Sequence, residues 1–98
     1  MVFKFFKKKM ISLNSANFAK LVKLYCADSG IPIPSQIKIT KAIAKDFIDS
    51  KDRGLNDFFL MDDEYAKQYL TYNGLNLLDA EIFWSIMRIN SANFLTSN

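Results

Sequence analysis

Apolar residues recur at spacings of three and four along most of the chain, and glycine or Asn/Asp-rich breaks divide them into four stretches. The spacing predicts a first helix from about Asn14 to Asp28, with Phe18, Leu21, Val22 and Tyr25 on one face. Lys20 and Lys23 fall on the other. A second helix is expected to begin near Pro34-Ser35, where proline suits a first turn, and to end before Gly54. Its core stripe is Ile39, Ile43 and Phe47, flanked by Ala44, while Lys38, Lys41 and Lys45 form a separate stripe. Ile31-Pro32-Ile33-Pro34 is expected to be extended, because a residue before proline avoids the helical region.

A third helix is predicted from about Asp62 to Asn73, opened by three carboxylates that complement the helix dipole. A short turn over Asn56–Met61 precedes it. The fourth is expected from Asp79 to about Asn90, with Ile82, Phe83, Ile86, Met87 and Ile89 facing inward and Leu78 stapled to Phe83. Gly30, Gly54 and Gly74 each precede an apolar residue, as in a left-handed C-terminal cap, and all three are expected to close helices. These elements give an all-α fold: a compact bundle of about four short helices in a single domain over residues 1–98. Residues 1–12 form a basic, aromatic N-terminal segment, read as a tail or irregular leader.

Composition then narrows the chemistry. Histidine is absent and Cys26 is the one cysteine, so an internal disulfide, a Cys/His zinc site and imidazole catalysis are excluded. Ser35 and Lys38 read as S-x-x-K, but the companion S-D-N and K-T-G motifs are missing. With Gly54 set at the sixth position of a calcium loop, Lys51, Arg53 and Leu60 occupy ligand positions, so that reading fails. Asp62-Asp63-Glu64 is a solvated first-turn cluster before it is a magnesium site. No phosphate-binding glycine loop occurs. The expectation is a protein that is not an enzyme and has no cofactor or metal.

Charge is unevenly spread. Residues 1–45 carry nine lysines against Asp28, a net of +8, whereas residues 46–98 carry four basic groups against nine acidic ones, a net of −5. Lys4, Lys7, Lys8 and Lys9 interleave with Phe3, Phe5 and Phe6, a pattern that suits stacked bases or an anionic lipid surface. Lys20, Lys23, Lys38, Lys41 and Lys45 are expected to form one basic plateau. Without arginine in that half, specific reading of guanine is unavailable. A helix-turn-helix around Gly74 would present Glu81, Ser85 and Arg88 from the acidic half, which repels phosphate. No apolar run reaches the length of a membrane span, the unpaired thiol suits a cytoplasmic setting, and the lysine and isoleucine bias suits a bacterium or its phage.

Protein-binding residues are sought among the aromatics. Tyr65, Tyr69 and Tyr72 share one face of the third helix, Trp84 lies at the margin of the fourth, and Phe58 and Phe59 open a run that cannot all face one core. The leading expectation is protein–protein binding, as an accessory factor or inhibitor of a larger, nucleic-acid-handling complex encoded by a mobile element. The alternative is sequence-tolerant binding of nucleic acid or anionic membrane through the lysines. A homodimer through the apolar face of the fourth helix is a third option.

Overall fold

A computed structural model describes residues 13–95, and among them every regular element is helical. We number the helices α1 (Ser15–Tyr25), α2 (Ile33–Ile43), α3 (Leu55–Phe59), α4 (Asp63–Tyr72), α5 (Leu77–Ile89) and α6 (Ser91–Leu95). A π-helical turn, Ala44–Ile48, continues α2. The four longer helices correspond to the four expected, but α2 takes in Ile33, which was expected to be extended, because Pro34 falls in its first turn, where no amide donor is needed. The basic aromatic segment, including Lys4, Lys7, Lys8 and Lys9, lies outside the described residues. No helix among the described residues is long and apolar enough to cross a membrane.

Side-chain caps set the starts. Asn14 Oδ1 accepts from the Asn17 amide at 2.8 Å, Asp62 Oδ1 from Tyr65 at 2.8 Å and Asn76 Oδ1 from Asp79 at 2.7 Å. Capping by Asn76 moves the start of α5 two residues ahead of its expected place. Leu78 is then inside the first turn and exposed, so the expected Leu78–Phe83 staple does not form. Only one of the three glycines closes a helix in the full manner expected. Gly74 has φ +114°; the amides of Leu75 and Gly74 donate to the carbonyls of Leu70 and Thr71, each at 3.1 Å, and Leu75 folds onto buried Leu70. Gly30, at φ +85°, follows α1 after a turn held by Ser29. Gly54, at φ −129°, opens α3 instead, and its amide donates to Asp57 Oδ2 at 2.9 Å.

The second helix also ends early. Asp49 N–H donates to the Ala44 carbonyl at 2.8 Å, five residues back, and the helical path stops there. α1 packs on α2, the π turn bridges α1 and α3, α4 pairs with α5, and α6 returns to α3. Between them lies one core of Phe18, Val22, Ile39, Ile43, Phe47, Leu70 and Phe83 with their neighbours. Phe58 sits at its centre, with ring centroids 5.6 Å from Phe47, 5.2 Å from Phe59 and 5.3 Å from Trp84. The pentapeptide Asn-Ser-Ala-Asn-Phe occurs at 14–18 and again at 90–94, and its two copies contribute Phe18 and Phe94, whose rings meet at 5.4 Å. Its asparagines diverge: Asn14 caps the start of α1, and Asn90 caps the end of α5 through Nδ2 to the Ile86 carbonyl.

Candidate functional site

The aromatic set chosen from the sequence is divided by the fold. Phe58 is fully buried and Trp84 is 3% exposed, so both belong to the core and neither can offer its ring to a partner. Tyr69 and Phe59 are half-buried against that core. The Tyr69 hydroxyl donates to Asp46 Oδ2 at 2.6 Å; burial, and then the Asp46 carboxylate, push its phenol well above the ordinary tyrosine range. Tyr65 and Tyr72 point outward, so the three tyrosines do not act as one face: the middle one turns inward to meet Phe47 and Phe58. The physical reason is Asp46, which meets α4 from the π turn and provides a half-buried acceptor there.

Trp84 completes a polar contact at the start of α4. Its Nε1–H donates to Asp63 Oδ1 at 2.8 Å, and Arg88 Nη1 donates to the same oxygen at 2.6 Å while its guanidinium lies 5.7 Å from the indole centroid. The Trp84 hydrogen bond first, then Arg88 and Lys67, lower the Asp63 carboxyl below its ordinary range. Asp62 is occupied as the cap of α4 and Asp63 with Trp84 and Arg88, so two of the three carboxylates of that cluster serve structure. Among the described residues no group of three or more His, Cys, Asp or Glu could hold a metal ion. Cys26 is fully buried, and burial pushes its thiol up to about 11, where thiolate is scarce at neutral pH.

The apolar face of α5 is likewise largely spent on the core. Ala80, Phe83, Trp84 and Met87 are buried and Ile82 and Ile86 pack against them. Ile89, expected inside, is 81% exposed. Leu77 and Leu78 at the start of α5 are also exposed, and Ile82 and Ile86 are only partly covered.

A concave apolar surface formed by described residues lies elsewhere, between α1 and α2. Ala19, Val22 and Lys23 of α1 and Ile33, Gln36, Ile37, Thr40 and Lys41 of α2 line a groove of about 300 Å³. Ile33 and Ile37 are more than half exposed. The two buried polar side chains at its base are already engaged. Gln36 Nε2 donates to the carbonyls of Ile31 at 2.8 Å and Cys26 at 3.3 Å, and the Thr40 hydroxyl donates to the Gln36 carbonyl at 2.7 Å. The groove therefore offers aliphatic surface edged by two ammonium groups, and no nucleophile or acid–base pair.

Lys20, Lys23, Lys38, Lys41 and Lys45 are all exposed, but the expected single plateau is redistributed. Lys23 and Lys41 edge the same groove. Lys38 lies across the α4–α5 turn, its Nζ 3.0 Å from where a Cβ on Gly74 would stand. Lys20 and Lys45 line no part of the groove. The sequence reading missed Ile33 and Ile37, although a signal was present. Ile37 lies about 160° around the helix from Ile39, so it cannot serve the same core. Comparison of the chain with protein-family models, with characterised proteins and with solved structures finds no match.

Proposed function

We propose that the protein is a binding module without catalytic activity, and that it recognises another protein through the α1–α2 groove as an accessory factor or inhibitor of a larger assembly. The observation that carries this reading is the pair Ile33 and Ile37. Two β-branched side chains one turn apart are more than half exposed and share an apolar groove with Val22 and Ala19. Burying a fully exposed isoleucine gains about 1.5–3 kcal/mol; with about half of each side chain still to cover, the pair together gains about that much, the size of one interface hot spot. Tyr65 and Tyr72 remain exposed and are candidates for contacts away from this anchor.

The test is capture from a lysate of the cells that encode the protein, with nuclease treatment and a high-salt wash, comparing the native chain with Ile33→Asp/Ile37→Asp. Both positions are exposed, so the variant is expected to keep its helical circular dichroism. Loss in the variant of a stoichiometric, salt-resistant protein supports the reading. Capture unchanged by the substitutions overturns it. Recovery of nucleic acid or lipid that salt releases assigns function to the lysines instead.

A further inference from the structure

We infer that the α1–α2 groove takes a partner α-helix whose apolar ridge is flanked by carboxylates, an inference that rests on the protein-binding reading of the same groove. Shape, hydrogen-bonding capacity and charge each favour this occupant.

Shape comes first. Ile33, Ile37 and Lys41 follow one another at i, i+4 and i+8 on α2, and Ala19 and Lys23 stand at i and i+4 on α1. Such rows are the ridges by which helices interdigitate, and the trough between two of them receives the matching ridge of a third helix. From Ile33 to Lys41 the trough is about 12 Å long, roughly two helical turns.

Hydrogen bonding excludes the other common peptide mode. A strand added to a surface needs free backbone donors and acceptors opposite it. Here both walls are helices, so free backbone amides are confined to the first turn of α2 and no row of them faces the groove, and the Gln36 amide nitrogen and Thr40 hydroxyl are committed inside the domain. A helix satisfies its own backbone and asks nothing of the groove. The polar groups at the base are committed and the two ammonium groups stand at the rim, so a small polar ligand meets no convergent set of hydrogen bonds inside the groove.

Charge sets the flanks. Lys23 and Lys41 edge the groove, and among the described residues no carboxylate lines it. A nucleic-acid strand would want aromatic platforms, and among the described residues none lines the groove. Carboxylates placed beside the apolar ridge of an incoming helix would meet both ammonium groups at the rim, where such pairs govern partner choice and association rate more than affinity.

The probes are two helix-stabilised synthetic peptides with the same leucine and alanine ridge, one flanked by glutamates and one by lysines. They are titrated into the full chain at low salt, with binding followed by anisotropy and by the amide resonances of the protein. The glutamate peptide is expected to bind about tenfold more tightly, a gap that narrows as salt is added. It should shift the amides of Ile33, Ile37 and Lys41 and lose binding to Ile37→Glu. Reversal of the rim in Lys23→Glu/Lys41→Glu should invert the preference. Circular dichroism of each variant establishes that it is folded.

Equal binding of the two peptides, binding indifferent to Ile37→Glu, or no binding by either up to about 1 mM would overturn the inference. If these fail while lysate capture still requires Ile33 and Ile37, the groove binds protein of another chemistry and only this inference falls. If capture is also indifferent to those residues, the functional reading falls with it.

Discussion

Gln36 ties together the end of α1 and the start of α2. Its amide nitrogen bridges the Cys26 and Ile31 carbonyls from a side chain that is 5% exposed. Gln36→Ala should therefore cost about 1–3 kcal/mol, the penalty for leaving buried acceptors unmet, and Gln36→Leu should not recover it. Urea unfolding of both variants checks this. Nothing in apolar periodicity marks the residue, because a buried amide looks like surface polarity until its partners are known. Asp63 is different: its two donors come from α5, and their effect is visible in pH. Its lowered carboxyl favours the folded state above the unfolded-state value, and that contribution is lost as pH falls through the folded one. The Trp84 indole N–H resonance, from the single tryptophan, should titrate with a midpoint below the ordinary aspartate value of 3.8, and Asp63→Asn should remove the transition.

Among the elements, those whose ends carry local signals were the legible ones. α4 begins and ends within a residue of its expected limits because Asp62 caps it and Gly74 reverses the chain. Gly74→Ala places a Cβ at positive φ, 3.0 Å from the Lys38 side chain, and should cost about 1 kcal/mol or more in thermal or urea unfolding. A lysine can swing aside, but the backbone angle cannot be relieved. Gly54 shows why the same residue type misled. Preceding an apolar residue is a feature of both helix starts and helix ends, and the deciding fact is which neighbour meets its amide. Here that neighbour is Asp57, three residues ahead. The early stop of α2 was unreadable for a related reason, since no residue in 44–48 breaks a helix and the π turn answers to packing on α3.

At the scale of the molecule, the core is a network of rings that helix counting alone does not reveal. Phe58 touches Phe47, Phe59, Tyr69 and Trp84 and so joins the π turn to α3, α4 and α5. Phe58→Ala should lose about 3–5 kcal/mol, a large part of the stability of a domain this size, and a fall in the urea midpoint would register it. The sequence reading placed Phe58 at the surface because four apolar residues in a row cannot share one face. The fold resolves that run by burying Phe58, half-burying Phe59 and Met61, and exposing Leu60. The lysine bias was legible as charge, whereas the groove needed the relative placement of two helices, which one helix's periodicity does not carry.

The turn at residues 44–48 holds one residue more than an α-helix requires, and a single added residue swings everything beyond it by about 100° around the axis. Asp46 meets the Tyr69 hydroxyl from within that turn. Chain length and side-chain partnership are thus one variable here. A relative one residue shorter across this stretch would regain a regular helix and set a different side chain opposite the tyrosine. Descent in such a lineage should show the gap and the loss of the aspartate–tyrosine pair arriving together, with phenylalanine the natural replacement at position 69.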